Sequence, residues 1–256
     1  MPDHLATAAL FVLGLLIGSF LNVCIWRLPR RESLNWPGSH CTSCERRLSW
    51  YENVPVVSWL VLRGRCRSCG VRIAATYPLV ELVTGALFAG GYLVYGWTPL
   101  LAVRLLFACA MVVLFVIDLR HRILPNVITV PGIVAGLVFS LALPPGWLAA
   151  LIGTIAGGGA LYLIAEVYYR VRGIEGLGMG DVKMLAMIGA FLGWQLTLVT
   201  LMLASLSGSV VGVGLMATGR RDMQAALPFG TFLAVGALVA AVYGDDLLAW
   251  YLGFYS

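Results

Sequence analysis

Apolar runs of spanning length recur along this chain from end to end, separated by short polar joints and by one long polar stretch. A membrane-crossing helix needs about 20 apolar residues, and the runs predict spans at Leu5–Trp26, Tyr77–Tyr95, Pro99–Ile117, Ile123–Ala142, Trp147–Tyr169, Val182–Gly193, Trp194–Ala217 and Pro228–Trp250. The pattern therefore predicts an all-α polytopic membrane protein with about eight transmembrane helices. The sixth run is short: at 1.5 Å per residue it reaches only about 18 Å, so it is a half-helix, is shielded from lipid, or borrows flanking residues. The first run carries no charge and follows Asp3 and His4 rather than a basic segment, which reads as a retained anchor. Three regions follow: a first transmembrane anchor at 1–26, a polar loop domain at 27–76 and a polytopic membrane domain at 77–256.

Composition agrees, since 60% of the 256 residues are hydrophobic and 11% are charged. The net charge of +5, with nine Arg against three Glu between residues 27 and 76, raises the possibility of nucleic-acid binding. The distribution of charge favours another reading. With the N-terminus outside, alternating loops place those nine Arg, Arg120, Arg122, Arg170, Arg172, Lys183, Arg220 and Arg221 on the cytoplasmic side, leaving only Arg104 inside a span. That is the positive-inside signature, and the opposite orientation would reverse nearly every loop. The expected C-terminus is also outside, beyond Asp245 and Asp246. The pairs Gly153/Gly157 and Gly208/Gly212 predict close helix packing.

Four of the six cysteines form Cys41-Thr-Ser-Cys44 and Cys66-Arg-Ser-Cys69. Two such pairs can offer four thiolates to one tetrahedral ion, which predicts a structural zinc site in a cytoplasmic loop domain. Two disulfides are the alternative, disfavoured in a reducing compartment. Four thiolates leave no open position for water, so the metal would organise the loop. His40 is a weaker ligand candidate. Cys24 and Cys109 sit in apolar spans and read as packing residues.

Ionisable groups in or beside spans are costly and call for a function. Asp118 ends the third span in Phe115-Val-Ile-Asp118, and Asp181 opens the sixth in Gly178-Met-Gly180-Asp181-Val-Lys183. Both fall at the same predicted face. Two carboxylates within reach of each other can share one proton, one serving as base toward water and the other as acid toward a scissile carbonyl. Glycines 178 and 180 would permit a tight turn and close backbone approach. The bland alternative is surface pairing with Arg120, Arg122 or Lys183. Glu81 and Glu166 are weaker candidates, each on a span without a glycine turn. The only histidines are His4, His40 and His121, and neither a Ser-His-Asp set nor a His-Glu-x-x-His motif is evident.

At these residues the chain closely resembles the type IV prepilin peptidase family, bifunctional leader peptidases and N-methyltransferases of the Gly-x-Gly-Asp aspartyl peptidase group. The likeness includes Gly18-Ser-Phe-Leu-Asn-Val-Cys-Ile-Trp-Arg-Leu-Pro29, the paired Cys-x-x-Cys loop, Tyr77-Pro-Leu-Val-Glu-Leu82, Ile117-Asp118 with Leu124-Pro125, Gly178-Met-Gly-Asp-Val-Lys183 and Pro228-Phe-Gly-Thr-Phe-Leu233. The resemblance implies that Asp118 and Asp181 are catalytic, and that substrates are prepilins or pseudopilins of pilus and type II secretion systems. It further implies location in a bacterial inner membrane, with cleavage after glycine and commonly before phenylalanine at the cytoplasmic face. Methylation of the new α-amino group with S-adenosylmethionine is implied as well. No Gly-x-Gly-x-x-Gly loop is visible, so that cofactor would bind unconventionally. Many relatives carry Asp after Leu-Pro where this chain has Asn126, which implies that position 126 is not an essential acid here.

Two rival readings remain. A proton-coupled membrane transporter could use Asp118, Asp181, Glu81 and Glu166 as a relay, but the sequence shows no convincing inverted repeat, and its two best acids lie at one face rather than at the midplane. A zinc-organised scaffold would leave the two aspartates without a task.

Overall fold

The computed structural model describes residues 3–173, 178–218 and 227–254. Arg220 and Arg221 of the charge pattern lie outside the described residues. Helices account for nearly all regular structure: among the described residues there is no strand, only two isolated antiparallel bridges, His40 with Arg47 and Arg65 with Arg72. Eight α-helices follow in order: α1 Asp3–Arg27, α2 Val57–Val61, α3 Thr76–Tyr95, α4 Pro99–His121, α5 Asn126–Phe139, α6 Trp147–Arg172, α7 Met179–Ala217 and α8 Phe229–Leu252. Six of these, all but α2 and α5, are long and apolar enough to cross a membrane.

The eight predicted spans map onto seven helices, because the sixth and seventh are joined in α7. Its 39 residues are interrupted at Gly193, whose φ of 79° and ψ of 171° lie far from helical values. The expected break is therefore present as a sharp bend without a loop, at a residue free to adopt that backbone. The fourth predicted span is shorter than the hydropathy suggests. Pro125 is extended at the entrance to α5 and the helix stops at Phe139, leaving 14 residues, or about 21 Å.

The chain divides into two compact units, Met1–Val113 and Leu114–Ser256. In the first, α1 packs on α3 through small residues: a Cβ on Gly14 would come within 2.7 Å of the Gly85 Cα, and one on Gly18 within 2.7 Å of the Glu81 Cα. Ala6, Leu10, Phe88, Tyr92 and Leu101 form a buried cluster there. Asn22, buried in α1, donates its side-chain amide to the Tyr77 carbonyl at 3.0 Å and ties α1 to the start of α3. The buried Arg27 then turns the chain, donating to the carbonyls of Ser33 at 2.8 Å and Leu34 at 3.2 Å, and to that of Pro37.

In the second unit, the part of α7 before Gly193 is the core element. Met184, Leu185, Met187, Ile188 and Ala190 are fully buried. The short sixth run is thus shielded by its neighbours, the second of the three alternatives its length allowed. Helices α5, α6 and α8 all pack on α7. Gly153 of the predicted pair meets backbone directly, since a Cβ there would lie 2.7 Å from the Gly189 carbonyl oxygen and 2.8 Å from the Trp194 nitrogen. Gly157 approaches Thr197 equally closely. At Gly208 the nearest group is the Phe232 ring at 3.5 Å, ordinary contact that does not require glycine.

Candidate functional site

Two sites develop from this framework, one in each unit. In the second unit the ends of three helices and one link come together. Asp118 lies in the last turn of α4, Asp181 in the first turn of α7 and Thr231 in the first turn of α8. Leu124, just before α5, fills the space between them: a Cβ on Gly180 would meet Leu124 Cβ at 2.9 Å, and one on Gly230 would meet Leu124 Cδ1 at 2.9 Å. Gly178 is extended, at φ −76° and ψ 140°, and Gly180 is helical. Neither needs a left-handed backbone, so of the two reasons expected for these glycines the structure supports close approach. The Gly178 Cα position faces the Asp181 carboxylate, with a Cβ there falling 3.3 Å from Oδ2.

Asp118 is 5% exposed. Its Oδ2 accepts two hydrogen bonds from one residue, the Thr231 backbone N–H at 2.7 Å and the Thr231 hydroxyl at 3.1 Å. The N-terminus of α8 therefore supplies both an orphan amide and the positive end of its dipole to this oxygen. A Cβ on Gly230 would sit 3.0 Å from Asp118 Oδ2, so a larger residue there would crowd the carboxylate. Leu124 thus lies against both Gly180, the neighbour of Asp181, and Gly230, which borders Asp118, and so links the two acids' surroundings. Surface pairing does not occupy either acid: the ion pairs resolved among the described residues are Arg46–Glu52 and Arg170–Glu166. Lys183 donates instead to Asn126 Oδ1 at 2.9 Å, and Glu166 is held on the α6 surface by Arg170. Thr231 was missed as a site residue. Its signal was the Pro228–Leu233 motif, which gave a place but no role.

In the first unit, the cysteine loop folds as two matching knuckles. The Cys41 N–H donates to the Arg46 carbonyl, and Glu45 N–H returns to Cys41; the Cys66 N–H donates to Val71, and Gly70 N–H returns to Cys66. The residue after each second cysteine is left-handed, Glu45 at φ 55° and Gly70 at φ 70°. The four sulfurs of Cys41, Cys44, Cys66 and Cys69 lie within 4.8 Å of one another, and Cys41 Sγ is 3.7 Å from Cys69 Sγ. A tetrahedral ion with metal–sulfur bonds of 2.3 Å sets its sulfurs about 3.8 Å apart, so the group fits a metal. His40 stands outside it, with Nδ1 on the Gly38 carbonyl.

Backbone N–H groups of Cys69 and Ser68 draw the Cys66 thiol down to about 6. Against the lowering effect of the Arg46 amide, partial desolvation and the three neighbouring sulfurs push Cys44 up to about 11. Glu52 braces the first knuckle: it accepts the Ser49 N–H at 2.8 Å and the Arg46 guanidinium at 2.5 Å, which holds its carboxyl below the usual range.

Comparison with known proteins matches residues 12–95 to the bacterial peptidase A24 N-terminal domain and residues 105–213 to the type IV leader peptidase family. A prepilin leader peptidase/N-methyltransferase of Aeromonas salmonicida is 38% identical over 94% of this chain and 92% of its own length. The chain belongs to the type IV leader peptidase family. Another member of that name, from Myxococcus xanthus, is 48% identical over 82% of this chain, and the match spans 64% of its own length. A third, from Stutzerimonas stutzeri, is 36% identical over 95% of the chain and 92% of its own length. No solved structure matches the chain significantly. Family membership supports the peptidase function and not the transporter reading.

Proposed function

We propose that Asp118 and Asp181 are the hydrolytic pair of a membrane aspartyl endopeptidase that removes the leader segments of prepilins and pseudopilins. The observation that carries this reading is the seating of Asp118 Oδ2 on both donors of Thr231, with Leu124 packed against both Gly230 beside Asp118 and Gly180 beside Asp181. Two hydrogen bonds donated to Oδ2 favour the ionised form of Asp118. The shared proton is therefore assigned to Asp181, and Asp118 is the base. Asp118 takes a proton from water as the water oxygen attacks the scissile carbonyl carbon, and Asp181 gives its proton to the carbonyl oxygen. Collapse of the tetrahedral species breaks the C–N bond and re-forms the C=O: the proton held by Asp118 passes to the departing amine, and the hydroxyl made from the carbonyl oxygen returns its proton to Asp181.

The site works at the cytoplasmic face of a bacterial inner membrane, with both termini outside, as the Lys and Arg distribution supports. Residues 27–76 form the cytoplasmic loop domain, organised by one structural zinc on Cys41, Cys44, Cys66 and Cys69. The new N-terminus is then methylated, as the names of the relatives suggest. S-adenosylmethionine would supply a methyl group on a cationic sulfur, and aligning that methyl with an uncharged amine is a demand the hydrolytic pair need not meet. The deciding experiment incubates the purified protein in lipid with a tagged prepilin. Cleavage by wild type and none by Asp118→Asn or Asp181→Asn supports the pair; appreciable turnover by either variant removes it.

A further inference from the structure

The loop domain keeps one apolar face that its own packing does not use. Helix α2 turns Trp59 inward, where the indole N–H donates to the Ile73 carbonyl at 3.2 Å and the ring lies so close to Gly64 that a Cβ there would come within 2.9 Å of it. The other side of the helix carries Val57, Leu60 and Val61, which are 55%, 60% and 74% exposed. Their spacing of three and four residues puts them on one face. Adjacent apolar side chains left in water are a cost that a covering surface removes.

The level of that face follows from the register of the two spanning helices in this unit. Gly14 approaches Gly85, Gly18 approaches Glu81 and Asn22 bonds to Tyr77, so α1 and α3 run antiparallel in matching steps. The apolar run of α1 ends at Trp26, whose ring the Arg30 guanidinium covers at 3.7 Å, and Trp with Arg marks the membrane interface. Gly18 precedes Trp26 by eight residues, which sets the Glu81 backbone about 12 Å deeper than that marker. The Glu81 side chain leans back toward the start of α3 by at most about one turn, or 5.4 Å. Its Oε2 accepts the Val56 N–H at 2.7 Å. The residue that leads into α2 is therefore held several ångströms inside the level of Trp26. Val56 adopts a positive φ of 60° to present this N–H, an uncommon backbone for a β-branched residue.

The segment meets two further demands of a lipid boundary. Backbone polar groups there must be satisfied by the protein itself. The N–H groups of Val57, Ser58, Leu60, Leu62, Arg63 and Gly64 all donate to carbonyls within residues 54–60, and the Ser58 hydroxyl donates to the Val54 carbonyl at 2.7 Å. Its charge is also of one sign. No Asp or Glu occurs from Val54 to Val80, and Arg63 and Arg65, both exposed, follow α2 closely. Guanidinium groups beside an apolar helix face complement the phosphates of anionic lipid.

We propose that α2 is an in-plane membrane anchor for the loop domain. Val57, Leu60 and Val61 rest at the boundary between acyl chains and headgroups, and Arg63 with Arg65 pairs with the phosphates of anionic phospholipid. The cysteine knuckles are thereby fixed against the bilayer surface. This contact does not depend on which side of the membrane the loop occupies.

The test is photo-crosslinking of the full chain in nanodiscs of phosphatidylglycerol and phosphatidylethanolamine, each lipid labelled in turn. p-Benzoylphenylalanine in place of Leu60 or Val61 is expected to capture phospholipid several-fold more than the same residue in place of Ser43, at the exposed tip of the first knuckle, and to favour phosphatidylglycerol. Arg63→Gln combined with Arg65→Gln should abolish that preference and leave capture in place. Wild-type protein in discs whose lipid carries a photoreactive acyl chain gives a second reading that needs no variant: label should fall on residues 54–63 as well as on the spans. Capture at Leu60 and Val61 no greater than at Ser43, or capture there of a second copy of this chain or of added prepilin in place of lipid, would overturn the proposal, as would wild-type labelling confined to the spans. Equal capture of the two lipids, or a preference that survives loss of both arginines, would overturn the pairing with anionic headgroups.

Discussion

Replacing Thr231 with valine removes one of the two donors to Asp118 and leaves the side chain's shape nearly unchanged. The hydroxyl lies 3.1 Å from Oδ2, while the backbone N–H at 2.7 Å survives the substitution. A hydrogen bond to a charged group is worth about 1.5–3 kcal/mol, and each 1.4 kcal/mol corresponds to about tenfold in rate. Because the longer of the two bonds is lost and the shorter kept, the lower end applies, and cleavage should slow by about tenfold. The effect should fall on kcat with KM unchanged, since Thr231 touches the base rather than the substrate. Steady-state cleavage of a tagged prepilin in nanodiscs measures both constants. Thr231→Ser keeps the hydroxyl and should restore most of the rate. A valine variant as fast as wild type, or a serine variant as slow as valine, would refute the seating of Asp118 by this hydroxyl.

Asp118→Asn and Asp181→Asn should each abolish cleavage while inserting normally, and both should still methylate a pre-cleaved peptide, checked by mass spectrometry of its N-terminus. Elemental analysis should find one zinc per chain, and double Cys→Ser substitution in either pair should remove it. Acidification should release the metal, because protons compete for thiolates, and zinc-responsive dye would follow the release as pH falls. Gly153→Val should lower the melting temperature in detergent by several degrees, since its Cβ would meet backbone at 2.7 Å that cannot move aside, at a cost of about 1–3 kcal/mol. Gly159→Ala, where nothing lies within 4 Å of the added carbon, should be neutral.

The spans were legible because each is a long apolar run, and hydropathy reads length and composition directly. It does not read backbone geometry. Nothing in the run from Ile123 to Ala142 announces that Pro125 stays extended and delays the helix to Asn126. Asp118 and Asp181 stood out as charges at the ends of apolar segments, where a carboxylate is expensive. Thr231 carries no charge and is common in membrane helices, so its role exists only once α8 has brought it to Asp118. The positive φ of Val56 was invisible for a related reason: Pro-Val-Val is an ordinary apolar string, and the partner of the Val56 amide, Glu81, lies on a different helix. The cysteine spacing, by contrast, encodes a local knuckle, and local structure is what short-range sequence determines.

The bond from Thr231 to Asp118 joins residues 113 positions apart, with the donor in the last helix of the chain. At ribosomal speeds of 5–20 residues per second, a nascent chain displays its finished Asp118 helix for on the order of ten seconds before the residue that seats the carboxylate is made. Asp181 is made 63 residues into that interval, so for the last 50 residues the growing chain has both aspartates without the donor that seats the first. Seating of the Asp118 carboxylate therefore waits until α8 has been made and packed.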